Sequence, residues 1–408
     1  MVFHGLCETG RLTPPAGLSV VRQQVARYLT ERDSEPADWR DVFLSSGATD
    51  GIRSMLALLN CPAEDAKPPG VLIPVPQYPL FSSTVAEFGM YQISYHLDEG
   101  KDWAVDMAEL QRALENARPH CEPRVLVVIN PGNPGGFVLS RKDIEDIIKL
   151  AHRENLFILA DEVYQYNVYS EELEFVSFKK VLRSLDQPWA SEVALASFMS
   201  GSKGYMGECG ARSGFCEVIN IDDETRGILT HLLASRVCPS TLGQVCALLS
   251  DCFPSFGVAH GTLRLLHIAM LYYRVEQVIT FCITYHPQPD EPSHARFCQE
   301  RASILRGLGQ RADLCYDKLN STYIFSISSS SVDLSFLCGQ ERGLTPDELY
   351  TLEMLETCGV CVLPGYLFGQ RENTFHFRLT FLPQEPQLRI ILERIVQFHG
   401  SFMEKYKD

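Results

Sequence analysis

Four short stretches carry residues whose types and spacing could do chemistry. Ser45-Ser46-Gly47-Ala48-Thr49 runs into a helical pattern that begins near Asp50. A small-residue loop at a helix N-terminus offers free N–H groups and the positive end of the helix dipole, which suits a phosphate. Asn130-Pro131-Gly132-Asn133-Pro134-Gly135-Gly136 follows the apolar run Val125–Ile129. It reads either as an ordinary Asn/Pro/Gly turn or as two Asn amides aimed into a site from a strand end. Ala160-Asp161-Glu162-Val163-Tyr164 closes another apolar run. A buried acid is costly unless paired, and a cationic ring nitrogen would pair Asp161, with Tyr164 offering its hydroxyl to the same ligand. The alternative is an Asp that caps the next helix. Last, Ser197-Phe198-Met199-Ser200-Gly201-Ser202-Lys203-Gly204-Tyr205 has Arg212 nine residues past the lysine. A lysine among small residues after a strand can be desolvated, which favours the neutral amine that attacks an aldehyde.

Together the four stretches supply a phosphate seat, an anion for a pyridine nitrogen, a hydroxyl for a phenolate oxygen and a lysine for an imine. Pyridoxal phosphate is the ligand that asks for all four.

The elements that must position these residues follow from hydrophobic pattern. Val71–Val75, Tyr91–Tyr95, Val125–Ile129, Phe157–Ala160, Val193–Ala196 and Phe215–Ile219 read as strands. Ile52, Met55, Leu56 and Leu59 share one helical face; Ile144, Ile147, Ile148 and Ala151 share another, and Ser140 with Asp143 forms a capping box ahead of them. Near-continuous apolar strands alternating with helices imply an α/β fold whose mostly parallel sheet is covered on both sides. Ligands bind such sheets at the carboxyl ends of the strands, where the four stretches fall. Beyond about residue 250 the pattern becomes helix-rich, with a last helix that buries Leu388, Ile391, Leu392, Ile395 and Phe398. The expected division is an N-terminal segment, 1–40, packing with the smaller domain; a large cofactor domain, 41–250; and a small C-terminal α+β domain, 251–408.

Composition narrows the class. Of 408 residues 45% are hydrophobic and 21% charged, enough to bury a core, and a net charge of −15 argues against nucleic acid or anionic membranes as partners. The 14 cysteines show no framework spacing, and the lone pair Cys358/Cys361 lacks the second pair that a zinc site needs, so no metal is expected. Leu263 to Tyr285 is apolar but interrupted by Arg264, Arg274 and Glu276, which reads as a buried helix rather than a membrane span. The opening MVFHGLCETGRLTPP has neither a signal-peptide core nor a transit-peptide pattern, which points to the cytoplasm, with mitochondria the alternative if further residues precede it.

The order of motifs resembles the alanine aminotransferases of the fold-type I pyridoxal-phosphate family. VLIPVPQYPLFSST, VINPGNPGGFVLS, LADEVYQYNVY, SGSKGYMGECGARSGF and FGQRENTFHFRLTFLP carry the likeness, over about residues 17–250 and 345–405. The resemblance implies a large domain with a mostly parallel seven-stranded sheet, a homodimer, and interconversion of L-alanine and 2-oxoglutarate with pyruvate and L-glutamate in two half reactions. It implies that Lys203 forms the imine and shuttles the proton, Asp161 pairs with the ring nitrogen, Tyr164 and Asn133 bond the ring oxygen, and Tyr78 stacks on the ring. It further implies that Gly47, Ala48, Thr49, Ser200 and Arg212 seat the phosphate, and that Arg378, with Asn133, grips the substrate carboxylate. A lyase reaction of the same cofactor and a weakly catalytic family member are the alternatives.

Several positions depart from the family's pattern. Leu12 stands where a tyrosine reaches the phosphate across the dimer, and an N-terminal arm is expected ahead of residue 1. Gly135 replaces a threonine; Tyr366 and Leu367 replace small residues, and Leu367 would be strained if that position needs a positive φ. Residues 253–345 match poorly, with Gly257–Ile283 reading as an insertion and only a faint strand at Thr322–Ser329.

Overall fold

The computed structural model describes residues 12–61, 67–168, 173–203, 209–244, 315–316, 322–326, 343–380 and 385–406. Seven strands form one sheet: β1 (Val42–Ser45), β2 (Pro69–Val75), β3 (Tyr91–His96), β4 (Glu122–Ile129), β5 (Phe157–Asp161), β6 (Leu195–Ser200) and β7 (Gly214–Ile219). Their spatial order is β1-β7-β6-β5-β4-β2-β3. Pairings from β3 through to β6 are parallel; β7 runs antiparallel to both β6 and β1, so it alone points the other way. Five of the six expected strands are present near their expected bounds, and the one expected over Val193–Ala196 runs instead over Leu195–Ser200. β1 was not among them.

Alternation along the strands explains the layers. Leu72, Leu126, Val128, Ile158 and Ala160 enter a core with helices α4 (Met107–Ala117), α5 (Arg141–Arg153) and α6 (Phe178–Ser184), and Trp189 of the short α7 (Trp189–Glu192) packs against it. Their neighbours Val71, Ile73, Val125, Val127 and Leu159 enter the opposite core with α2 (Ala48–Leu59), α3 (Leu80–Glu87) and α8 (Asp223–Ala234). A strand buried on both faces must read as a continuous apolar run, as these do. The Ser140/Asp143 capping box opens α5 as the spacing implies.

The expectation for residues 1–40 placed them beside the smaller domain. Among the described residues of that segment, helix α1 (Ser19–Asp33) packs on the seven-stranded sheet, where Val21, Val25 and Leu29 meet Val42, Leu44, Met199 and Phe215. It forms there because β1 and β7 expose apolar side chains that need a cover.

A second sheet has order β10-β11-β9-β8, made of β8 (Cys315–Tyr316), β9 (Thr322–Ser326), β10 (Leu363–Pro364) and β11 (His376–Thr380), all antiparallel. Backed by α9 (Pro346–Cys358) and α10 (Glu385–Lys405), it encloses a core of Tyr350, Met354, Phe377, Leu388, Leu392, Ile395 and Phe398. Ile391 is only partly buried there. The faint strand at Thr322–Ser329 is a strand over Thr322–Ser326 that pairs along all of β11. The expected insertion Gly257–Ile283 and the apolar stretch Leu263–Tyr285 lie outside the described residues. Among the described residues no helix is long and apolar enough to cross a membrane, and no group of three His, Cys, Asp or Glu side chains could hold a metal.

Candidate active site

The carboxyl ends of β1, β4, β5 and β6 and the amino end of β7 lie side by side, because β7 is antiparallel. Each candidate stretch leaves the sheet at this edge.

The loop after β1 caps α2 with Gly47 at φ +85°, a conformation that favours glycine. The helix itself starts at Ala48, two residues earlier than the sequence suggests. A Cβ on Gly47 would lie 2.6 Å from Arg212 Nη2, and one on Gly214 would meet Gly47 at 2.7 Å, so the absent side chains let Arg212 reach the helix N-terminus. Arg212, at φ +51°, donates to Ser46 O (2.9 Å) and Cys209 O (3.0 Å). Gly47, Ala48 and Ser200 are buried. Ser200 Oγ donates to Ser213 O at 3.1 Å and lies 2.9 Å from Ser202 Oγ. Glycine, helix N-terminus, hydroxyls and guanidinium therefore gather at one place, a set of donors that suits a phosphate.

Beside it, Asp161 ends β5 and is buried. It accepts a long hydrogen bond from Val163 N, 3.4 Å, and caps no helix. Burial pushes its carboxyl up to about 6, against the Val163 amide and Lys203, which favour the charged form. Such a carboxyl calls for a cation. Tyr164 is also buried, and its hydroxyl accepts from Asn133 Nδ2 at 3.3 Å. Burial raises its phenol above the ordinary value, with Lys203 opposing. The Lys203 ammonium lies 5.4 Å from the centre of the Tyr164 ring. Lys203 is exposed.

The two asparagines of the β4 loop divide their work. Asn130 is fully buried and accepts from Leu139 N at 2.9 Å, holding the loop in shape. Asn133 alone faces Tyr164, and its Oδ1 lies 3.5 Å from Arg378 Nη1. Arg378 comes from β11, and its guanidinium stacks 4.7 Å above Phe368. Its Nε is buried with no hydrogen-bond partner among the described residues. Burial lowers its pKa, and Tyr164 and Tyr78 partly offset this. Tyr78 is exposed, close enough to act on Arg378.

The departures have definite places. Leu12 is 77% exposed. Tyr366 and Leu367 sit on a short 3₁₀ turn, Gly365–Phe368, both exposed, and neither has a positive φ. The positive φ falls on Gly369, at +75°, so the strain expected at Leu367 is absent. Gly135, where the family has threonine, packs against Trp103, and a Cβ there would lie 3.1 Å from its ring; the positive φ of the loop, +68°, falls on the next residue, Gly136. Phe368, Ser202, Glu99 and His376 belong to the site's surroundings and were not among the sequence candidates. For His376 the signal was there, since strand alternation puts it on the face of Arg378, two residues on.

Residues 7–248 match the family model "Aminotransferase class I and II". The chain belongs to this family. It is 43% identical to bovine alanine aminotransferase 1, over 97% of this chain and 76% of that one. The human alanine aminotransferase 1 is 42% identical over the same shares. A probable mitochondrial alanine aminotransferase of Dictyostelium discoideum is 34% identical, covering 98% of this chain and 70% of the other. In fold, the chain superposes on an alanine aminotransferase from Pyrococcus furiosus with TM-score 0.72, at 19% identity, over 96% of this chain and 84% of that one. An aspartate aminotransferase from Thermotoga maritima gives 0.71 at 17% identity, over 96% and 84%. This is the fold-type I architecture, and the family's cofactor is pyridoxal phosphate. The residues fit it: a buried carboxyl with no ion pair among the described residues, a cradle that a Cβ at Gly47 would fill, and a lysine beside a buried tyrosine.

Proposed function

We propose that this transaminase moves the amino group of L-alanine to 2-oxoglutarate, giving pyruvate and L-glutamate, with the site residues acting as follows. The α2 N-terminus at Gly47, Ala48 and Thr49 would hold the cofactor phosphate together with Ser200 and Arg212. Asp161 would pair with the ring nitrogen, Tyr164 and Asn133 would bond the ring oxygen, and Tyr78 would cover the ring. Bound there, pyridoxal phosphate supplies an electron sink for the charge left when the substrate Cα loses its proton. Lys203 would take that proton and return one, its amine lying within reach of Tyr164. Arg378 grips the α-carboxylate with its planar fork, and Asn133 fixes the fork's orientation. Residues 41–250 and 251–408 would be the two domains that meet around the substrate. The working unit would be a homodimer in the cytoplasm, its substrates small molecules.

The observation that carries this reading is the convergence of Asp161, Tyr164 and Lys203 on one strand-end spot, with Arg378 delivered there from the second sheet. Incubation with pyridoxal phosphate should give a visible absorbance band that the Lys203→Ala variant lacks. L-alanine should bleach the band with release of pyruvate, and 2-oxoglutarate should restore it. A band that alanine leaves unchanged would end the alanine reading. Pyruvate with ammonia, and no glutamate, would point to a lyase.

A further inference from the structure

His376 begins β11, two residues before Arg378, and the two share a face of that strand. It is buried, and both ring nitrogens have a partner: Nε2 lies 3.0 Å from Glu99 Oε1, and Nδ1 lies 3.0 Å from Gln370 Oε1. Both partners are acceptors. Glu99 offers a carboxylate oxygen. The Gln370 amide is oriented by its other end, since Nε2 points at Asp347 Oδ2, 3.4 Å away, and Asp347 also takes the Tyr366 amide at 2.7 Å. Turning the amide over would set its oxygen against a carboxylate and its NH₂ against the ring. A neutral imidazole has one donor and one acceptor, so it satisfies only one of these two partners.

The surroundings hold this arrangement in place. The Trp103 ring meets the imidazole edge-on, 5.7 Å between centres. Gly365 leaves the room: a Cβ there would come within 2.6 Å of Gln370 Oε1 and 2.8 Å of His376 Cβ. Among the described residues, Arg371 and Arg378 line the same cavity as the ring, and Asp347 lies behind Gln370. Glu99 comes from the turn after β3 of the seven-stranded sheet, so its bond to His376 ties that sheet to the strand bearing Arg378. A second tie runs close by, from Gln77 N to Phe368 O at 2.8 Å, and Phe368 is the ring under Arg378.

We propose that His376 is held as an imidazolium between Glu99 and Gln370, and that it is a positioning residue whose charge fixes the strand presenting Arg378 to the substrate carboxylate. This rests on the reading of Arg378 as the carboxylate grip. Loss of the proton leaves one acceptor facing a lone pair, and the tie to the seven-stranded sheet loosens. Carboxylate affinity therefore falls as pH rises, whereas proton transfer at Lys203 is not touched directly.

Two measurements on the full chain with pyridoxal phosphate test this. With ¹⁵N-labelled histidine, and His376→Asn to assign the signals, both His376 ring nitrogens should show protonated-type shifts at pH 7. The KM for L-alanine should rise several-fold above neutral pH with a smaller change in kcat. In Glu99→Gln, a change at a half-exposed position, that rise should move about one pH unit lower, and one His376 nitrogen should become unprotonated at pH 7. A pyridine-type nitrogen on His376 in the unmodified protein at pH 7 overturns the proposal. So does a KM profile that Glu99→Gln leaves in place. Arg378→Gln separates the underlying reading: if it leaves KM unchanged, Arg378 is not the grip, whatever the His376 signals show.

Discussion

Arg378 reaches Asn133 across 245 residues of sequence, Nη1 to Oδ1 at 3.5 Å, while its Nε is buried and unpartnered. One contact this long does not satisfy a half-buried guanidinium whose Nε is fully buried. An unsatisfied buried donor costs about 1–3 kcal/mol, and a carboxylate would recover that by bidentate pairing. Arg378→Lys keeps the charge and loses the fork. It is expected to raise KM for L-alanine and 2-oxoglutarate by about 10- to 100-fold, the loss of one charge-assisted bond of roughly 1.5–3 kcal/mol. Cofactor affinity, read from absorbance titration, should stay unchanged. Equal losses in both would place Arg378 at the cofactor instead.

Asp161 makes a prediction about the protein without cofactor. Its ordinary carboxyl value is 3.8 and burial pushes it up to about 6 in the fold. Between those pH values the folded state binds more protons than the unfolded one, so stability falls as pH rises from about 4 to about 6, then levels. Asp161→Asn removes this slope and should stabilise the cofactor-free protein above pH 6 by roughly 1–3 kcal/mol. The same change should weaken cofactor binding, because the cation loses its partner. Thermal melts of both proteins at pH 5 and pH 8, with and without pyridoxal phosphate, separate the two effects. A variant that gains nothing at pH 8 would mean that Asp161 is not a buried charge awaiting a cation.

Much of this site was legible because the strands that carry it are buried on both faces. Val125–Ile129 and Phe157–Ala160 are unbroken apolar runs, and Asn133 and Asp161 follow them at strand ends. β1 escaped notice because Val42–Ser45 has only four residues and gains its identity by pairing with β7, more than 160 residues later. His376 was read past for a similar reason, since its partner Glu99 lies 277 residues away. The exposure of Lys203 was not legible either, because exposure depends on what packs over a side chain, not on its neighbours in sequence.

Directly after Asp161, Glu162 joins a buried charge cluster that no motif announced. Arg32 bonds both oxygens of Asp33 (2.8 and 2.7 Å) and lies 3.9 Å from Glu162. Ser177 donates to Asp33, Phe178 N donates to Glu162 at 2.8 Å, and Lys179 pairs with Glu217 at 2.7 Å. Burial pushes Glu162 up to about 7, with Arg32 opposing. An acid raised from 4.5 to about 7 loses stability as pH rises through that window. Glu162→Gln keeps the acceptor for Phe178 and should raise the melting temperature at pH 8 more than at pH 5. Arg32→Met should instead destabilise by about 3–5 kcal/mol, leaving buried acids uncompensated. If Glu162→Gln melts lower than the unaltered protein at pH 8, the charged form is the stabilising one and the burial argument fails.

The turn Gly365–Gly369 gives the last test, because two residues there have opposite expectations. Leu367 lies at an ordinary negative φ and is exposed, whereas Gly369 lies at φ +75°. A Cβ on Gly369 would come within 3.2 Å of Val75 Cγ1, at the carboxyl end of β2. Gly369→Ala adds both a strained backbone and this contact, so it should destabilise by about 1–2 kcal/mol. It should also raise KM, because Phe368 under Arg378 is the adjacent residue. Leu367→Gly relieves no strain and adds chain entropy to the unfolded state, so it should destabilise by about 0.5–1 kcal/mol with KM unchanged. Denaturant melts and steady-state kinetics on the pair decide it: a stabilising Leu367→Gly would show that the position is strained after all, and a neutral Gly369→Ala would show that the turn yields to Val75.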